Sequence, residues 1–270
     1  MNTCMKYLFV LPFMLTFLVH GQTSPPDHST ELWQGKQAAV VLTYDDALNV
    51  HLDHVVPDLE ARGLKGTFYL SAFFPGSKNR IQDWKKAGAL GHELGNHTLY
   101  HPCDASLPGR EWVSPDNDLH QYTTDQILKE IRMTNVFLES LDGQKERTFA
   151  YTCGDTATGE GSFVAAIQDD FVASRGVRGA MNRIGNINLS NVDSYGINGQ
   201  TGEELIALVK EAQEKQALIT FLFHGVGGEH SLNVSLEAHR ELLDYLEANK
   251  DLIWTTTMLE AARHVKEHQQ

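Results

Sequence analysis

From residue 36 onward, short β-rich runs alternate with longer helical patterns, and this alternation most restricts the folds open to the chain. Residues 38–44 (AAVVLTY) form an apolar first run, 50–62 is helical in pattern and closed by Gly63, and 66–70 (GTFYL) is β-rich again. A helix is predicted over 125–141, with Ile127, Ile131, Leu138 and Leu141 on one face, and a strand at 148–151. Thr201 followed by Glu204 is a capping box that opens another helix, carrying Leu205, Leu208, Val209 and Ala212. Residues 217–223 are almost wholly apolar, the pattern of a strand covered on both faces; 236–249 then reads as an amphipathic helix and 253–257 as a last strand. Seven or eight strands separated by helices predict a single-domain α/β fold with a mostly parallel barrel, its chemistry on the loops at the C-terminal strand ends.

A chain of 270 residues with 41% hydrophobic content can bury one sizeable core. Residues 1–21 carry Lys6 ahead of an apolar run at 7–19, which predicts a signal peptide, with a polar leader at 22–35 and the domain at 36–270. That run is short for a bilayer, and no later stretch approaches the roughly 20 residues of a membrane helix, so no membrane span is expected. Cys4 precedes the run, so it does not resemble a lipid-attachment site, and the mature protein is expected to be secreted or periplasmic. The formal charge is −13, and loss of Lys6 would leave 21 basic against 35 acidic residues, 21 − 35 = −14. Such a field repels a phosphate backbone and tolerates a neutral or cationic glycan, so nucleic acid is not expected as a partner.

Three features could carry chemistry. Asp45 and Asp46 are adjacent carboxylates at the end of a hydrophobic strand, a costly placement unless a cation or proton compensates it. A helix cap with a solvated neighbour would also account for them. His97 and His101 stand four residues apart, and on one helical turn both rings would point the same way. Two imidazoles and a carboxylate make a common site for a zinc-type ion, although 13 histidines make chance pairs at this spacing expected. His264 and His268 are such a pair, assigned to a solvated helix face. His92 and Glu93 begin a zincin-like pattern that fails because position 96 is Asn. Finally, His224 ends the apolar run at 217–223 and precedes a glycine-rich loop, which places a titratable ring at a pocket mouth or, alternatively, a satisfied histidine in the core.

A strand ending Thr-Tyr-Asp-Asp (43–46), then His-Thr-x-x-His (97–101), then a late strand ending His-Gly (224–225) resembles the polysaccharide deacetylase family, carbohydrate esterase family 4. The likeness extends over about 36–265 and includes 66–70 and Gly-His-Glu-Leu-Gly-Asn-His at 91–97. The resemblance implies a distorted (β/α) barrel and one divalent metal, zinc first, with cobalt, nickel or manganese as alternatives. It implies Asp46, His97 and His101 as metal ligands, Asp45 as general base and His224 as general acid. The implied reaction removes acetyl groups from N-acetylated or O-acetylated sugars, so an acetylated glycan is the expected partner. A metal-containing glycan-binding barrel without turnover, or a hydrolase of another non-peptide amide, are the competing expectations.

One motif departs from the family. Many members carry Arg-x-Pro-Tyr beside the site, where this chain reads Ala150, Tyr151, Thr152, Cys153, Gly154. The arginine is absent, but the Cys153 amide could still donate to an oxyanion, a role that needs no particular side chain. Arg175, after an expected strand at 171–174, could supply the missing charge to the base; a surface arginine is the alternative. Cys103 lies two residues after an implied ligand and Cys153 on the implied oxyanion loop, so a disulfide between them is expected, provided their Cα atoms lie within about 7 Å. The stretch 102–122 is rich in Pro, Asp, Asn and Gly and is read as a long loop at the site mouth.

Overall fold

The computed structural model describes residue 1 and residues 33–269. The expected signal peptide, and the leader as far as residue 32, lie outside the described residues apart from residue 1. Trp33, inside the expected leader, belongs to the packed domain: it is buried and its indole donates to the Gln216 carbonyl at 3.0 Å.

Eight strands form one parallel sheet: β1 (Ala38–Asp45), β2 (Thr67–Leu70), β3 (Glu93–Asn96), β4 (Phe149–Ala150), β5 (Ser174–Arg175), β6 (Tyr195–Gly196), β7 (Leu218–Phe223) and β8 (Ile253–Thr256). Their order is β5-β4-β3-β2-β1-β7-β6, with β8 also paired to β1. One edge of β1 is taken by β7; its other edge serves β8 over Ala38–Val41 and β2 over Thr43–Asp45. A strand paired this fully must be buried on both faces, and all eight residues of β1 are buried. The sheet curls into a distorted (β/α) barrel that is open between β5 and β6, where an isolated bridge joins Arg175 to Val192.

Side-chain alternation along β1 separates two cores. Ala38, Val40, Leu42 and Tyr44 pack outward against the helices α1 (Val56–Glu60), α2 (Ile81–Ala89), α3 (Thr124–Asp142), α4 (Gly202–Lys215) and α5 (Leu236–Ala248). Ala39 and Val41 face the interior, where Trp33, Ile184, Leu218 and the C-terminal helix α6 (Met258–His268) fill the end away from the strand C-termini. The expected helices form where their local signals stand. Thr123 and Thr201 each close a capping box, at α3 with Gln126 and at α4 with Glu204. The expected helix at 50–62 is α1 preceded by a π-helical turn, His51–Val55. His264, expected on a solvated face, is instead buried against Trp33 and Trp254.

Two histidines of the outer core carry a pH prediction. Tyr44 is stacked between Phe68 and Phe223, and its hydroxyl is hydrogen-bonded to His239 at 2.9 Å. Burial holds His239 down to about 3 and His51 down to about 4. An unfolded chain would protonate both near 6.5 while the folded one keeps them neutral, so their contribution is complete above pH 6.5 and lost as pH falls towards 4 and 3. The loss is on the order of 1 kcal/mol per histidine per pH unit. Denaturant titrations at pH 7.5 and pH 5 should therefore give a clearly lower unfolding free energy at pH 5, less so in His239→Phe; equal values would contradict neutral burial.

Candidate active site

The sheet delivers the chemistry-bearing residues to one end. Asp45 ends β1, His97 follows β3, the 151–154 turn follows β4, Arg175 ends β5 and His224 follows β7, all at C-terminal strand ends. A cleft of about 500 Å³ opens there, lined by Asp45, Asp46, His97, His101, Cys153 and His224, with Arg175 buried behind Asp45.

Asp46 Oδ1 lies 3.6 Å from His97 Nε2 and 3.4 Å from His101 Nε2. The two histidines are not on a helix, contrary to the expectation of a shared helical turn: β3 ends at Asn96 and residues 97–102 are irregular. They converge because Thr98 and His101 take positive φ, 63° and 59°, which turns the chain back within one short loop. Asn96 supports that loop by accepting from the Thr98 amide at 2.9 Å while donating to Ile131 O and Asn135 Oδ1 on α3. Thr98 Oγ1 then accepts the His101 amide at 2.9 Å. Asp46 and Ala47 are also left-handed, at 76° and 51°, and Gly76 sits so close that an added Cβ would fall 1.8 Å from the Ala47 oxygen. With Cys153 at 56°, five of the eight described non-glycine residues of positive φ flank this cleft. Each is a conformation costing about 1–3 kcal/mol, held by surrounding structure that over-determines it.

His97 Nδ1 donates to the Ala150 carbonyl at 2.9 Å, and burial lowers the ring to about 4, so it is neutral with its Nε2 lone pair turned to Asp46. Asp46 Oδ1 is buried and without a hydrogen-bond donor among the described residues. Donor atoms bound at about 2.1 Å around a tetrahedral ion stand roughly 3.4 Å apart. The orphaned oxygen, the neutral imidazole with its second nitrogen anchored, and the donor spacing fit a divalent cation.

Asp45 faces the barrel interior. Arg175 Nη2 donates to both of its oxygens, at 2.6 Å to Oδ1, and neither side chain is exposed beyond 4%. In a flat sheet β1 and β5, four strands apart, would be separated by roughly 19 Å, so this contact exists only because the sheet curls. Burial pushes the Asp45 carboxyl up, but Arg175, His97 and His224 together outweigh it and hold it at about 2. The guanidinium also lies over the Tyr69 ring at 5.1 Å. Thus the charge missing from the 150–154 segment arrives from β5; Arg175 is not a surface residue, and it lies within the strand instead of after it.

His224 Nε2 lies 3.9 Å from Asp46 Oδ2, its carbonyl accepts from His51 at 2.7 Å, and burial lowers its pKa. The glycine-rich loop after it is fastened by Glu229, which accepts from the Val50 amide and the Asn49 side chain. Cys103 and Cys153 are joined in a disulfide with Cα atoms 5.8 Å apart. Two lining residues carried no signal in the sequence. His230 stacks on His224 at 4.7 Å, and Trp112 reaches the cleft from the long loop; each depends on how a loop folds back. The His92–Glu93 pair lies at the other end of the sheet, where Glu93 accepts from Thr67, Thr148 and the Leu259 amide.

The curled parallel sheet brings two carboxylates and three histidines together at its C-terminal mouth, a set suited to a metal-site barrel, and known proteins share this fold. Residues 34–160 match the sequence profile described as polysaccharide deacetylase. The peptidoglycan-N-acetylmuramic acid deacetylase PdaA of Bacillus subtilis is 26% identical over 115 residues, 42% of this chain and 37% of PdaA. The uncharacterised protein YlxY of the same organism is 30% identical over 106 residues, 39% of this chain and 28% of YlxY. A Mycobacterium smegmatis protein described as a polysaccharide deacetylase shares the fold, with a TM-score of 0.63 over 90% of this chain and 93% of its own, at 14% identity. The chain resembles the polysaccharide deacetylase family over residues 34–160, a little under half of its length, and shares the fold beyond them. It spans well under half the length of the curated relatives it matches.

Proposed function

We propose that this chain is a secreted, metal-dependent deacetylase that removes acetyl groups from N-acetylated sugars of a glycan, with O-acetyl sugars as the nearest alternative. The observation that carries this reading is the buried Asp45–Arg175 pair beside a fitted cation site, Asp46, His97 and His101, within one cleft. Asp46, His97 and His101 would hold the ion. When bound, it supplies Lewis acidity towards the acyl oxygen and water. Asp45 is the base: Arg175 keeps it ionised and fixes its orientation, so it is always free to accept a proton. His224, on the other side of Asp46, returns a proton to the leaving nitrogen or oxygen, and the Cys153 amide, on the cleft wall, is the candidate donor to the oxyanion. The reading as a binding barrel without turnover rests on the missing third-motif arginine, and the contact of Arg175 with Asp45 argues against it. An expected signal peptide at 1–21 and a disulfide both suit an oxidising compartment outside the cytoplasm.

Acetate release by metal-replete protein from acetylated chitooligosaccharide, peptidoglycan and xylan tests the function. Silence on all three would end it. Metal stoichiometry tests the site separately: the wild type should retain about one equivalent of zinc through gel filtration, and His97→Ala should lose at least tenfold in affinity. Full retention by His97→Ala would remove it from the ligand set.

A further inference from the structure

Trp112 stands out among the four tryptophans. Trp33 and Trp84 are buried and Trp254 half-buried, whereas Trp112 is 64% exposed and lines the same cleft as Asp45 and His224. Leaving an indole in water forgoes one of the largest apolar burials a side chain can make, so this position calls for a partner.

The segment that presents it is firmly tied to the site. The Val113 amide donates to the Arg110 carbonyl at 2.9 Å, which places Trp112 in a turn. The Arg110 guanidinium donates to the Cys153 carbonyl at 3.2 Å and pairs with Asp155, which also accepts the Asp104 amide at 2.8 Å. The Cys103–Cys153 disulfide anchors the same loop to the same turn. Trp112 is thus carried on a braced wall, and the entropic cost of ordering it on binding is largely paid in advance.

Val177 and Leu232, 49% and 41% exposed, also line the cleft. Below this apolar rim lie two carboxylates and four histidines, and the lining contains no lysine or arginine. An amphipathic ligand with an apolar face and hydroxyls at its edge suits the rim; carboxylates on its outer rings would meet a chain of formal charge −13 with no lysine or arginine in the lining to pair with them.

We propose that Trp112 is a stacking platform for an uncharged pyranose ring adjacent to the sugar being deacetylated, so that the preferred substrate is a neutral, N-acetylated oligosaccharide longer than one residue. The inference rests on the proposed deacetylase reading. Because the platform is on the rim, it is reached by the part of a chain that extends out of the cleft, and a single sugar seated over Asp45 gains little from it.

The test uses the full chain without added metal, titrated with tetra-N-acetylchitotetraose, N-acetylglucosamine and a carboxylate-bearing acetylated oligosaccharide while tryptophan emission is followed. The tetrasaccharide should change the emission and bind at least tenfold more tightly than the other two. Trp112→Ala should weaken tetrasaccharide binding about tenfold, and Trp112→Phe should recover most of it. In turnover, Trp112→Ala should act on KM for the tetrasaccharide, raising it about tenfold, far more than on kcat. Equal tetrasaccharide affinity in Trp112→Ala and wild type, or equal affinity for the carboxylate-bearing chain, overturns the proposal. Trp112-dependent binding without acetate release would sink the deacetylase reading alone; acetate release indifferent to Trp112 would sink the platform alone.

Discussion

Asp45→Asn should lower kcat on the acetylated substrate by about a hundredfold to ten-thousandfold, the range supplied by a positioned general base. The substitution keeps size but replaces one of the two oxygens that accept from Arg175 by an NH2 donor, and the neutral amide has no basic oxygen to take the proton. Zinc content should stay near that of the wild type, because the proposed ligands are Asp46, His97 and His101, while His97→Ala loses the ion. Far-UV circular dichroism must accompany the assay, since Arg175 is left as a buried cation facing an amide. Undiminished activity in folded, metal-loaded Asp45→Asn would show that another group is the base.

Arg175→Met should cost about 3–5 kcal/mol of stability, because deleting one member of a buried pair strands the other charge. Both groups are buried, at 0% and 4% side-chain exposure, so solvent offers Asp45 little relief. Without the guanidinium, burial would dominate and raise the carboxyl, so activity should fall and recover in part at higher pH. In the double variant Asp45→Asn/Arg175→Met, no buried charge is stranded at this position, and most of the stability should return while activity does not. Urea unfolding of the wild type, both single variants and the double variant gives the coupling directly; an additive cycle would mean that the pair is energetically idle.

The parallel barrel was legible because its signals are local. Apolar runs such as 217–223 and caps such as Thr201 with Glu204 act within a few residues, so they survive without knowledge of neighbours. The cleft residues at positions 45, 46, 97, 101 and 224 were legible for a related reason: polar, titratable groups at the ends of buried strands are costly, and their cost is visible in the sequence.

What remained hidden depends on distance along the chain. Arg175 reaches Asp45 across 130 positions, a meeting set by sheet order and curl that no local pattern encodes. The convergence of His97 and His101 was expected for the wrong reason, since left-handed turns at Thr98 and His101 do the work assigned to a helix. Trp112 and His230 belong to the cleft only because their loops fold back over it. Residue order was enough to set which residue types stand at the strand ends and therefore what chemistry was available. Tertiary structure alone decided which charge faces which, because only curling a parallel sheet brings the ends of separate strands within bonding distance.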